Sequence, residues 1–422
     1  MSGDSAKTYA RSMIERAKEL RESDAFAPPE TMRLTPASAA AAKAEARTSR
    51  KVARRWVVAF AIICALLAGF SLLLPYYGID AMGGNRQVYS PRDVLACYQL
   101  WFQTHILPLF DPALANQAGL LVNRFAETHG DSMYTLVINR AVVTVIVAGC
   151  GLMLAVSGLL FQAAFRNPLA APSLLGVSDG VTLGVIIYTM LGHANIADDS
   201  KLYLLLVYGL GAATVVVVLL LSRLMSGGRR YNVMDMLLLG TVICQLLAGV
   251  NSFVQNFVMD EYQWEGFYNV QQAGDALVDP LIQGVFVVIF VVTLIPALLL
   301  RFRFNMISFS NEFGTMAGVR TGLLRGFALV LGSAMQLAAM ATIGQVAMLS
   351  LAVPVLVRYM MPADFRSQFL GNCLVGVAML LACVAIQHFA IIGIVTMPVG
   401  TIVSVFIVPF FVWMVALGKG RW

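Results

Sequence analysis

Apolar residues in this chain gather into long unbroken runs, with neither the strict alternation of a strand nor the narrow stripe of a surface helix. Segments 56–74, 141–165, 180–197, 202–222, 236–259 and 280–300 are almost free of charge. Each is close to the roughly 20 apolar residues that carry a helix across a bilayer, so six transmembrane helices are predicted there. Beyond Arg325 the division is less direct. Segment 326–357 is expected to be two helices that meet near Gly344, and 369–418 must hold two more.

Arginine and lysine decide the count, because they accumulate in cytoplasmic loops. With ten spans and both termini inside, the cytoplasm receives the run from Arg47 to Arg55, then Arg166, Arg223, Arg229, Arg230, Arg301, Arg303, Arg320, Arg325, Arg358, Arg366, Lys419 and Arg421. Only Arg86, Arg92, Arg124, Arg140 and Lys201 stay outside. A nine-span arrangement would put Arg358 and Arg366 outside and fits worse. Segment 260–279 carries five acids and no base, as an external loop can.

Of 422 residues, 59% are hydrophobic and 12% charged, about half the charge of a soluble domain. An all-α, polytopic membrane protein of about ten transmembrane helices is expected. Residues 1–55 form a cytoplasmic extension that holds acids as well as bases, unlike a cleavable signal peptide. Within it Asp4 can cap a helix that Pro28-Pro29 ends, and Thr35-Pro36 can open an alanine-rich second one. Its basic end suits anionic lipid headgroups. The transmembrane region is then 56–418, with a long external segment at 76–139 and a cytoplasmic tail at 419–422. Inside the external segment, 93–110 is amphipathic through Val94, Tyr98, Trp101, Phe102 and Ile106, and is expected on the membrane surface or the protein rim.

Chemistry-bearing residues are sparse. Cys64, Cys150, Cys244, Cys373 and Cys383 lie in apolar runs and Cys97 in a polar segment, giving no disulfide framework or metal spacing. The histidines, His105, His129, His193 and His388, are scattered. Gly418-Lys419-Gly420 lacks the rest of a phosphate-binding loop, and Asp198-Asp199 and Asp260-Glu261 fall in external loops as solvated acids. No catalytic residue, bound cofactor, metal or nucleic-acid partner is expected.

The most informative string follows the 141–165 run. Arg166-Asn167-Pro168-Leu169-Ala170-Ala171-Pro172-Ser173-Leu174-Leu175-Gly176-Val177-Ser178-Asp179-Gly180 resembles the segment after the second transmembrane helix of the FecCD or BtuC-like permeases. These belong to ABC importers of iron-siderophores, haem and vitamin B12. Local physics agrees, since Pro168 and Pro172 cannot continue a helix and Gly176 and Gly180 permit turns and close approach. The resemblance runs over 139–417. Asn139-Arg140 and the small-residue run ending at Gly158 look like the family's second helix. Segment 310–319 resembles the region that rests on the ATPase: Glu312, Gly318 and Val319 match, while Ser310, Asn311 and Thr315 replace a Gly, a Glu and an Arg. After Gly344, Pro354, Arg358, Asp364 and Arg366 are kept, Ala347 and Ser350 replace glycines, and Val355 replaces a His. Pro398-Val399-Gly400 through Trp413 match the last helix, with Ile407 and Val408 in place of Gly-Ala.

The resemblance implies a BtuC-like permease fold and a subunit that is not itself an enzyme. Two such permeases, identical or related, would bind two cytoplasmic ABC ATPases, which use the ATP, and accept cargo from an extracytoplasmic substrate-binding protein. In this family the fifth and tenth helices line the pathway, making Gln245, Asn251, Gln255, Asn256 and Ser404 its candidate polar groups here. External arginines of the family meet carboxylates on the binding protein; Arg140 occupies such a position, with Arg124 as its companion. Two alternatives stand beside this reading. A secondary transporter would use intramembrane ionisable groups, which the spans almost lack. A degenerate partner permease or scaffold is suggested by Asn311, Thr315 and Val355.

Overall fold

The computed structural model describes residues 36–73, 77–79, 86–88, 91–106, 122, 131–225, 233–271, 277, 279–309, 311–316, 318–346, 348–361, 365–391 and 399–417. The helix expected from Asp4, together with Arg124, Asp364 and Pro398, lies outside them. By its contacts the chain divides after Val52.

Helix α1 is Pro36–Leu73, so the alanine-rich helix expected after Thr35 and the first apolar run are one element. Between Ala37 and Trp56 the sequence is dominated by Ala, Arg, Lys and Glu, all strong helix formers, with no Gly or Pro to break it. The segment expected to be external departs from the all-helical expectation in a small antiparallel ribbon, β1 (Tyr77–Ile79) against β2 (Arg86–Val88). Helix α2, Pro91–Trp101, follows and runs into a π-helical turn, Phe102–Ile106. Its inner face, Val94, Cys97 and Leu100, is buried, and Val94 and Cys97 pack with Met133 and Val137. Cys97, set in a polar stretch of sequence, is thus a core residue, and burial pushes its thiol up to about 11.

Helix α3, Asp131–Phe165, is the hub. After it come α4 (Val177–Met190), α5 (Ser200–Met225), α6 (Val233–Phe257), α7 (Glu261–Gln271), α8 (Pro280–Leu299), α9 (Arg301–Phe309), α10 (Asn311–Met316), α11 (Thr321–Ile343), α12 (Leu349–Met360), α13 (Phe365–Ile391) and α14 (Val399–Leu417). Helices α11, α12 and α13 pack along α3, while α4 packs on α5 and α6. Every residue of α3 from Met153 to Phe165 is buried, including two polar ones. Ser157 donates to the Leu154 carbonyl at 2.7 Å, and Gln162 Nε2 donates to the Leu351 carbonyl at 3.4 Å. Small residues set the distances between axes, as is usual in membranes. A Cβ on Gly151 or Gly376 would strike the other's backbone, and one on Gly158 would overlap the Ser350 carbonyl oxygen.

Among the described residues seven helices are long and apolar enough to cross a bilayer. Helices α4 and α12 are apolar but have only 14 and 12 residues, about 21 and 18 Å at 1.5 Å per residue, against a hydrocarbon core of about 30 Å. The run expected to continue to Ala197 stops earlier because Leu191-Gly192 turns, with Gly192 at φ 93°, and Asn195 and Asp198 then cap each other's backbone. The acids expected in external loops are likewise caps. Asp199 accepts from the Lys201 and Leu202 amides, Asp260 and Gln263 exchange bonds, and Asp279 accepts from Leu281, Ile282 and the Ser200 hydroxyl.

Candidate functional site

The stretch from Arg166 to Gly180 is a re-entry turn. Arg166 ends α3 in left-handed backbone at φ 52°, and Asn167 Oδ1 accepts from the Leu169 amide at 2.9 Å, which holds the chain reversal. Pro172–Leu175 form a 3-10 turn, and Gly176, at φ 76°, joins it to α4. Ala170, Ala171 and Pro172 are buried, whereas Arg166 and Leu169 are exposed. The turn is seated between two helices: the Gly176 carbonyl accepts from Thr214 of α5, and the Ser173 carbonyl from the thiol of Cys244 of α6. Its signature residues are therefore architectural; they aim α4 and anchor α6.

Helix α6 carries most of the residues suggested for the pathway, and they separate by face. Asn251 is 5% exposed and its Nδ2 donates to the Asp179 carbonyl at 3.0 Å, so it ties α6 to α4. Gln255 is half-buried. Gln245 and Asn256 are exposed, and with Thr241, Gly249 and Ser252, also exposed, they fall within about 80° of one another at 100° per residue. This polar stripe faces away from the subunit. Thr241 and Ser252 escape a search for amides alone; the 3-to-4-residue spacing through 241, 245, 249, 252 and 256 is the signal that finds them. On α14, Ser404 is exposed and bonds its own helix at the Gly400 carbonyl. Gly400 itself lies against the Gln345 carbonyl in the break between α11 and α12.

The segment suggested to rest on the ATPase closes on a specific turn. Helix α10 ends with the Val319 amide donating to the Gly314 carbonyl at 2.9 Å and the Gly318 amide to the Thr315 carbonyl at 3.0 Å. This is the paired bond pattern of a Schellman cap, with Gly318 at its left-handed position, φ 75°. Val319 then packs on the main core. Glu312 lies within α10. In α12, Pro354 sits inside the helix beside Gly158, Arg358 is half-buried, and Val355 is 1% exposed, so an apolar residue suits that site.

Arg140 is half-buried near the start of α3, with Nε and Nη2 buried, and its charge acts on Tyr98 of α2. Its guanidinium is therefore partly taken up by the protein's own surface. Arg124, its suggested companion, lies outside the described residues.

Comparison with known proteins adds an independent line. The chain is 28% identical over 276 residues to a probable iron chelatin transport system permease protein of Helicobacter pylori, covering 64% of this chain and 78% of that protein. It is 29% identical over 293 residues to the hemin transport system permease protein HmuU of Yersinia pestis, covering 68% and 84%. With the vitamin B12 import system permease protein BtuC of Yersinia enterocolitica it shares 25% identity over 302 residues, covering 70% and 84%. A solved structure described as an inward-facing, metal-chelate type ABC transporter superposes with a TM-score of 0.63 at 18% identity, covering 86% of this chain and 99% of that one, which shows a shared fold. Residues 107–416 match the FecCD transport family, and the chain belongs to that family.

Proposed function

We propose that this chain is the membrane permease of a binding-protein-dependent ABC importer, carrying an iron chelate, haem or a corrinoid between two permease subunits. The observation that carries the proposal is the stripe of Thr241, Gln245, Gly249, Ser252 and Asn256, exposed on a helix of membrane-spanning length. Polar groups facing hydrocarbon are costly, so that face belongs against water or a second subunit. The relatives named above, permeases for iron chelatin, hemin and vitamin B12, supply the cargo class. In this reading separate ATPases hydrolyse ATP and push on the α10 cap, and the helices around the stripe tilt to open one side and then the other. Ten crossings with both termini in the cytoplasm belong to the same proposal. It is supported by one end of the bundle collecting Arg166, Arg223 and Arg325 while the other collects Asp199, Asp260 and Asp279.

Single cysteines in a background without the six native ones test the pathway. Cysteines at Gln245, Ser252 and Asn256 should react with a membrane-impermeant thiol reagent in reconstituted vesicles, and those at Leu246 and Phe253 should not. Unreactive stripe positions would place that face in lipid or packed against a second subunit, and either would remove the pathway assignment. The same method reads topology: a cysteine at Lys201 should label from outside and one at Arg366 only from the cytoplasm. External labelling of Arg366→Cys would contradict the ten-span arrangement. ATP-dependent uptake of a ferric siderophore, haem or cobalamin by the complex with its ATPase, each measured separately, decides the cargo.

A further inference from the structure

The ends of α3, α5, α6 and α11 enclose a cavity of about 160 Å³. Phe165, Leu219, Met236, Leu329 and Val330 wall it, and among the described residues Arg325 is its one charged lining residue. Nε and Nη2 of that guanidinium are buried and have no hydrogen-bond partner among the described residues. Among the described residues the charge that acts on it has the same sign: Arg166, exposed at the end of α3, opposes Arg325. Two cations so placed, one partly desolvated and unpaired, oppose each other until an anion joins them. From this we infer a binding site for an anionic phospholipid, its headgroup phosphate held by Arg325 and Arg166 and the start of an acyl chain in the apolar slot.

The walls select among anions. A free phosphate or a carboxylate would gain nothing from five apolar side chains, whereas a lipid has an apolar portion to place there. The site also lies at the ends of membrane-length helices, the level of headgroups. Toward the middle of the bilayer from Arg325, Phe327 of α11 and Leu220 of α5 are apolar and exposed, a track for the rest of the acyl chain. The planar fork of arginine pairs with phosphate oxygens two at a time, and basic pockets between transmembrane helices are a known way of holding anionic headgroups. Lipid binding here does not depend on the transport reading.

The test uses the purified full chain extracted from bilayers of mixed phosphatidylglycerol and phosphatidylcholine, with retained lipids counted by native mass spectrometry. The wild-type chain should retain phosphatidylglycerol preferentially. Arg325→Gln and Arg166→Gln should each reduce that retention about fivefold, and Arg325→Lys should reduce it less, since it keeps the charge and loses the fork. Gly326→Leu is the variant that keeps both arginines. Nothing lies within 4 Å of a Cβ at that position, so the new side chain can fill the slot without disturbing the fold, and retention should fall here too. Equal retention of the two lipids by the wild type would overturn the proposal. So would unchanged phosphatidylglycerol retention in Gly326→Leu, which also decides the matter if Arg325→Gln does not fold. Displacement of the lipid by inorganic phosphate at matched concentration would mean a simple anion site. Loss of ATPase co-purification in Arg325→Gln with lipid retention intact would mean a protein contact instead.

Discussion

Gly158→Leu is expected to eliminate the folded permease. At this position α3 and α12 touch backbone to backbone, and a single Cβ would overlap the Ser350 carbonyl oxygen and press on Pro354 at 3.1 Å. Overpacking usually costs about 1–3 kcal/mol when side chains can move aside. Here the obstacle is a peptide group inside a helix, so relief requires the two axes to separate and uncovers the buried run from Met153 to Phe165. The cost should exceed that range, with Gly158→Ala already strongly destabilising. Thermal melting followed by size-exclusion chromatography in detergent measures it. Gly69→Leu and Gly284→Leu are the matched controls, since nothing lies within 4 Å of a Cβ at either. A Gly158→Leu protein that melts like those controls would show that the helices do not approach so closely.

The second large effect is on transport with insertion intact. Under the proposed coupling, Gly318→Val and Glu312→Lys should each abolish ATP-driven uptake while the permease still reaches the membrane. For Gly318 the reason is backbone conformation. The residue is at φ 75°, where a β-branched side chain is strained by about 1–3 kcal/mol. That strain opens the cap closed by the Gly318 and Val319 amides. Bulk, which a turn in the sequence would suggest, is not the cause, as nothing lies within 4 Å of a Cβ there. Gly318→Asn should therefore retain most uptake, because Asn tolerates the left-handed region. Glu312→Lys reverses a charge at the proposed ATPase contact and should lose uptake through weaker association. Wild-type uptake in both Gly318→Val and Glu312→Lys would take this segment out of the mechanism.

Positions where one physical signal acts alone are legible in the sequence. Gly344 is expected to separate a pair of helices, and α11 does end at Ile343 with Gly344 at φ 78°. Pro172 and Gly176 are expected to break the chain, and they bound the 3-10 turn. Misreadings arise where apolar composition continues through a change of structure. Residues 191–197 look like membrane helix by hydropathy, yet a local turn and the Asn195–Asp198 cap end α4 at Met190. Likewise nothing in composition shows that Cys97 faces Met133 and Val137, because that contact joins elements more than thirty residues apart. The site is legible as a helix and not as a face: Gln245, Asn251 and Asn256 share α6, and only packing separates the inward Asn251 from the outward pair.

The burial of α3 bears on how the protein is made. Its partners α11, α12 and α13 lie far downstream in the chain, and the carbonyl that Gln162 reaches belongs to Leu351, 189 residues later. Synthesis proceeds from the N-terminus at about 5–20 residues per second, so the amide of Gln162 waits roughly ten seconds or more for its acceptor. During that interval it is a buried-type polar group with no native partner. Insertion of this hub is therefore provisional, held by lipid, water or the insertion machinery until the last third of the chain arrives. A ribosome that stalls before Leu351 would leave a membrane-embedded fragment in which this glutamine lacks its acceptor.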